Sequence, residues 1–272
     1  MRNFILSATI FIIVVSWSIG YFSYYHNTLH PKTLTQYTLT NGDKTLVFQE
    51  MIHIGSENFY NSIAEEIKKY KQDGFVYYFE WVKAWTQENN NKFNQALWVE
   101  FDETLYDNMS KLYGLIPQNN LLFLWLVNDQ DYNVDTSIDE IIKKYEDIKT
   151  EKNIKKQYNA PVDLSWETVK MLAELEGREL QILVYVNQAI LAAMTKNETI
   201  MTEIQNTFWN QELFEVILGK RNEIIADEII HSPHTEIFAT YWALHFKWIF
   251  EILQNNDSNW KIVSEKQFLP FQ

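Results

Sequence analysis

The stretch "LVFQEMIHIGSENFY", residues 46–60, decides how the rest of the chain is read. Its first half is apolar with β-branched and aromatic residues, the pattern of a buried strand. It runs into His53. Ser56 then stands before "ENFYNSIAEEIKKYKQDG", where Phe59, Ile63, Ile67 and Tyr70 recur at helical spacing. Ser56 can cap that helix and Gly74 can end it. "FVYYFEWV" (75–82) follows as a second apolar strand, broken only by Glu80. Strand, helix and strand within about forty residues form a βαβ unit, which implies a parallel, buried sheet.

The C-terminal third repeats the order. "QELFEVILGKRNEIIADEII" reads as a helix and "TEIFATYWALHF" as a strand running to His245. "FKWIFEILQN" is again a helix, and "WKIVSEKQFL" a last strand. Two strand–histidine–helix–strand segments suggest a body built from two related halves. Between them the reading is coarser. "NNNKFNQ" near 89–95 reads as a loop and "ETLYDNMSKLYGL" as a helix. "NLLFLWLVN" is a strand or a buried helix. Ser137 and Glu140 make a capping box for "SIDEIIKKYEDIKT". Residues 146–160 read as a surface helix or exposed loop. Residues 165–195 read as two helices, the second apolar enough to be buried.

Upstream, "FILSATIFIIVVSWSIGYFSYY" runs from Phe4 to Tyr25 without a charge. A bilayer crossing takes about 20 apolar residues in a helix. Arg2 precedes the run, so that end is expected in the cytoplasm and the body outside. Residues 1–26 are therefore an uncleaved single-pass anchor or, in the rival reading, a signal segment cut near Ser16, Ser18 or Gly20, which would leave the body secreted. Residues 27–44, Thr-rich with a turn at Asn41-Gly42, read as a tether, and 45–272 as one domain. The expected fold is α+β, a central mixed sheet flanked by helices, with an N-terminal transmembrane helix.

The 272 residues carry 23 Lys+Arg against 36 Asp+Glu, a net charge of −13, and no cysteine. Such a chain repels phosphate backbones, so nucleic acid is not an expected partner. Disulfides, thiolate nucleophiles and Cys-type zinc sites are excluded, and any metal must sit on histidine and carboxylate. His53, Glu80 and His245 stand at or near strand ends, where ligands bind in parallel sheets. Two imidazoles and a carboxylate suit a divalent metal with an open coordination position. Each taken alone has a plainer reading as a hydrogen-bonded residue at a strand end. Arg221 lies inside the apolar stripe Phe214, Ile217, Leu218, Ile224, Ile225, so it needs a buried acid or a bound anion, with Glu80 the candidate partner, or else reaches the helix edge. His231 and His234 flank a Ser-Pro turn and are expected on the surface. There is no Gly-rich phosphate loop, no HExxH and no GxSxG.

"VFQEMIHIGSENFY", "GFVYYFEWV" and "KRNEIIADEI…EIFATYWALHF" resemble, in order, the motifs of the TraB/Tiki-like (TraB/PrgY/GumN-type) family, which is related to the haem-binding ChaN proteins and to erythromycin esterase. The resemblance covers about 45–82 and 210–262. It implies a sheet built from two related halves and a membrane-anchored, metal-dependent peptidase acting on a peptide or protein. It implies a zinc, manganese or cobalt ion held by His53, His245 and Glu80, with Glu80 and Arg221 in catalytic roles and Asn222 beside Arg221. Glu50 ("EMIH"), Trp81 and Trp242 ("WALH") replace the family's glycines, and Glu50 is a possible extra ligand. The alternatives are an inactive member that binds a ligand or metal, or a membrane-tethered interaction protein.

Overall fold

The computed structural model describes residues 2–97, 103–118, 120–151, 175–196 and 210–272, with the side chains of the first helix from Phe11 onward, Ile12 excepted. At its centre is a six-stranded mixed sheet. The strands are β1 Leu34–Thr40, β2 Thr45–Met51, β4 Val76–Phe79, β6 Tyr132–Asn133, β7 Glu236–Trp242 and β8 Lys261–Phe268. A separate two-stranded ribbon pairs β3 Ile54–Gly55 with β5 Ile116–Pro117. The sheet order is β6-β4-β7-β2-β1-β8. β6, β4, β7 and β2 are parallel, while β1 is antiparallel to both of its neighbours.

The helices are α1 Arg2–Tyr24, α2 Glu57–Gln72, α3 Gln87–Leu97, α4 Glu103–Tyr113, α5 Asn120–Leu124, α6 Ile138–Glu151, α7 Gly177–Lys196, α8 Gln211–His231 and α9 Phe246–Asn256. α2 buries Phe59, Tyr60, Ile63, Ala64 and Ile67 against Val47, Tyr77 and Phe238 on one face of the sheet. α8 and α9 cover the other face, with Ile225, Ile229, Ile249 and Leu253 against Phe48, Tyr78, Ala239 and Tyr241. Odd and even residues of each strand thus face different helices, as the period of two requires. Burying one such side chain stabilises the fold by about 1.5–3 kcal/mol. A third cluster joins α3, α6 and the first half of α8 through Leu97, Ile142, Tyr145 and Leu213.

The β2–α2–β4 unit forms as its sequence predicts. Ser56 Oγ accepts from Phe59 N at 3.1 Å, and Gly74, at φ 95°, ends the helix. The two strands are parallel but not adjacent, because β7 lies between them. The β7–α9–β8 crossover passes over β2 and β1 in the opposite direction, on the opposite face, so the two crossovers have the same hand. The Ser137–Glu140 capping box is present, with Glu140 N donating to Ser137 Oγ at 3.2 Å and Ser137 N to Glu140 Oε2 at 3.1 Å.

Several expectations need correction. The tether read over 27–44 contains β1, held between β2 and β8; its threonines favour a strand. The turn at Asn41-Gly42 stands, with Asn41 Oδ1 accepting from Asp43 N and Lys44 N. The expected loop over 89–95 lies in α3, fixed by the burial of Ala96 and Leu97. β7 stops at Trp242, and a 3₁₀ turn, Ala243–His245, carries the chain to His245. Helix α7 is not buried: Ala189 and Ala192 are covered but Ile182 is 61% exposed. The helix expected over 165–177 falls mainly outside the described residues.

Among the described residues no helix is long and apolar enough to cross a membrane.

Candidate functional site

The four parallel strands end at the same side of the sheet, and each is followed within three residues by a polar side chain. Glu80 comes directly after β4, Asp135 two residues after β6, His53 two after β2 and His245 three after β7. Helix α8 lays Arg221 and Asn222 against this edge. The side chains of Arg221, Glu80 and Asp135 are 11%, 12% and 0% exposed.

Arg221 is the hub. Its Nε donates to Asp135 Oδ1 at 2.8 Å and one terminal nitrogen to Asp135 Oδ2 at 2.9 Å, a two-point grip that guanidinium geometry favours. The same nitrogen also pairs with Glu80 Oε1. Glu80 Oε2 accepts from Trp242 N at 2.9 Å, which ties the end of β4 to the end of β7. Tyr241 donates its hydroxyl to the carbonyl of Val134, next to Asp135.

The charges follow from this geometry. Burial pushes the Glu80 carboxyl up, but the Arg221 guanidinium, the adjacent His245 and His53 and the Trp242 N–H together hold it at about 2. Asp135 is raised, because its burial, with Glu80 nearby, outweighs the pull of Arg221. Burial would lower Arg221, yet the two carboxylates raise it above its ordinary value. Two carboxylates against one guanidinium leave one negative charge over inside the body.

His245 is fully buried, and desolvation lowers it to about 4, so it is neutral near pH 7. Its Nδ1 lies 2.6 Å from Asn222 Oδ1. An acceptor there assigns the ring proton to Nδ1 and leaves the lone pair on Nε2. That Nε2 is buried with no hydrogen-bond partner. Burial also lowers His53. The indole of Trp242 lies near both imidazoles, its ring centre 5.5 Å from His53 and 6.3 Å from His245.

The expected residues therefore fall into two groups. His53, Glu80, Arg221, Asn222 and His245 come together, and Arg221 meets Glu80 as its place in the apolar stripe predicts. Glu50 does not join them. Its Oε2 accepts from Thr35 N at 2.8 Å, two strands away from Glu80, where it secures the start of β1. Of the three residues in glycine positions, Trp81 is exposed and only Trp242 lines the cluster. Among the described residues no three His, Asp or Glu side chains are arranged to hold a metal ion as they stand. Asp135 was missed from the sequence. Its strand is only two residues, Tyr132–Asn133, and "YNVD" lacks the apolar run that marks Glu80 in "VYYFE".

Donor chemistry fits a divalent ion in one respect. A histidine whose Nδ1–H is held by a side-chain oxygen, with its Nε2 lone pair unoccupied, has the arrangement of a metal ligand with its outer partner. The net negative charge of the cluster also suits a cation. No family model matches this chain, and neither a curated protein nor a solved structure matches it.

Proposed function

We propose that this chain is a membrane-anchored, extracytoplasmic protein of TraB/Tiki type that binds a divalent metal at its strand-end cluster and hydrolyses a peptide or protein substrate. One observation carries the reading. Polar residues from four separate segments of an otherwise apolar sheet edge converge there, and His245 keeps a buried, unpartnered Nε2 in their midst. His245, His53 and Glu80 would hold the ion. When bound it would activate water for attack and polarise the scissile carbonyl. Asn222 fixes the His245 ring. Asp135 grips Arg221 at two points, so the guanidinium is aimed at Glu80 and orients its carboxylate. The β2–α2–β4 and β7–α9–β8 crossovers, each with a histidine soon after its first strand, support two related halves. The described surface of α1 supports the anchor: Phe11, Ile13, Val15, Trp17, Ile19 and Tyr21 are exposed apolar or aromatic residues spread over more than half of its circumference.

The test is metal content. The full chain in mild detergent, dialysed in turn against zinc, manganese and cobalt, is expected to retain one ion that the His53→Ala/His245→Ala variant loses. No metal in either protein, with both folded, would overturn the reading. Hydrolysis of a peptide library by the loaded protein then tests turnover.

A second reading, binding without turnover, is favoured by the bulk of Trp242 beside both imidazoles and by the engagement of both Glu80 oxygens. It predicts retained metal, no hydrolysis, and a gain of access in Trp242→Gly.

A further inference from the structure

At the foot of α1 the helix widens into a π turn, Tyr25–Leu29, and the chain turns toward β1. A cavity of about 160 Å³ opens here. Its lining includes His26, Asn27, Lys32, Tyr185, Gln188 and Gln272. Lys32 is a cation on this lining, and Lys196 lies beside it. Burial lowers the Lys196 ammonium, and the nearby Lys32 lowers it further. Lys196 Nζ donates to the His30 carbonyl, and His30 follows directly on the π turn. Lys32 also acts on Glu50, whose Oε2 accepts from Thr35 N. His26 Nδ1 is buried without a partner. Asn27 Nδ2 donates to the Tyr185 carbonyl, and Gln272 Nε2 to the Asn27 carbonyl, so the walls are tied to α7 and to the C-terminal segment. Beside the cavity, the exposed apolar surface of α1, with Trp17, Tyr21 and Tyr24, continues onto Ile182, Tyr185 and Ile190 of α7. Aromatic residues in such a belt mark the level of lipid headgroups.

We propose that this cavity holds the phosphate of an anionic glycerophospholipid headgroup, with Lys32 and Lys196 as its charge partners, and that α7 lies in the headgroup layer beside the anchor. The proposal rests on the membrane reading of α1 and is independent of the metal reading of the strand-end cluster. A lysine beside an anionic lipid contributes about 1 kcal/mol, which is about a fivefold change in affinity. An ammonium donates to a phosphate as a compact point charge, so glutamine, one bond shorter, keeps a polar donor and removes the charge.

The experiment places the full chain in nanodiscs of phosphatidylcholine with a minor fraction of phosphatidylglycerol and counts retained lipid by native mass spectrometry. The parent is expected to retain phosphatidylglycerol in preference to phosphatidylcholine. Lys32→Gln is expected to lower that retention about fivefold and Lys32→Gln/Lys196→Gln further. Lys32→Gln alone guards against misfolding of the double variant, since Lys196 also holds the His30 carbonyl. Equal retention by parent and a folded Lys32→Gln variant would overturn the site. A chain that stays out of the discs would overturn the anchor reading. If inorganic phosphate then raised the melting temperature of that chain, and not of Lys32→Gln, the cavity would belong to a free phosphate and the lipid proposal would fall.

Discussion

Helix α8 deals with two cations in two ways. In its middle, Arg221 is turned into the body and met by two carboxylates. At its C-terminal end, Lys44 reaches in from the hairpin turn and donates to the carbonyls of Ile229, Ile230 and Ser232, each at 2.8 Å. Lys44 faces only neutral dipoles, and desolvation lowers its ammonium. Arg221 faces formal charges and is raised. Peptide dipoles at a helix end compensate a half-buried ammonium only in part. A buried guanidinium holds its charge firmly because carboxylates were buried with it, and those carboxylates in turn depend on the arginine.

The largest effect that would break this contrast is expected from Arg221→Met. It strands Glu80 and Asp135 beside each other, and breaking a buried pair in this way costs about 3–5 kcal/mol. Urea unfolding of parent and variant measures it. A loss no larger than that of Lys44→Met would abolish the distinction between the two cations.

Acid sharpens the comparison next. His245 is depressed from an ordinary 6.5 to about 4, so the unfolded chain binds the extra proton first and stability falls as pH drops from 6.5 toward 4. Glu80 is depressed from 4.5 to about 2, so its contribution is present above 4.5 and is lost as pH falls toward 2. Each depression corresponds to about 3 kcal/mol. Asp135, being raised, acts in the opposite sense and returns part of the second loss. Thermal melts across pH are expected to flatten between 6.5 and 4 in His245→Gln and between 4.5 and 2 in Glu80→Gln. Unchanged profiles would mean that neither group is buried in these states.

Asn222→Ala is expected to cost about 1–2 kcal/mol, the loss of one buried hydrogen bond at His245 Nδ1, read as a lower melting temperature. Lys44→Met should cost least, about 0.5–1 kcal/mol, because water can replace it at the end of α8. A Lys44 effect above that of Asn222 would reverse the order.

Where the sequence was legible, one side chain contradicted its surroundings. Arg221 interrupts an apolar stripe and Glu80 interrupts an apolar strand, so each demanded a partner and the two partner one another. Asp135 gave no such demand, since "VDTS" also reads as the ordinary lead-in to the capping box at Ser137. Glu50 was conspicuous for the same reason as Glu80, yet its carboxylate turns back to the neighbouring strand, a contact that depends on pairing between β1 and β2. β1 itself was hidden by its threonines, whose strand preference shows only once β2 and β8 flank it. The Asn-rich start of α3 has weak helix propensity, and packing of Ala96 and Leu97 overrides it. His53 has no meaning alone. What gives it one is β7, which brings Trp242 and His245 beside it.

That placement of β7 also sets the order in which the molecule can be completed. β2 pairs with β1 across a short turn as soon as both exist. Its other neighbour, β7, begins at Glu236, 236 − 45 = 191 residues beyond its register partner Thr45. Until β7 arrives, β2 and β4 each present an open edge toward a gap, and unpaired strand edges invite pairing with other chains. Contacts so distant along the chain slow folding. A chain emerging amino terminus first would therefore spend most of its synthesis with its central sheet unfilled. Release before residue 242 would leave an aggregation-prone fragment, not a smaller folded protein.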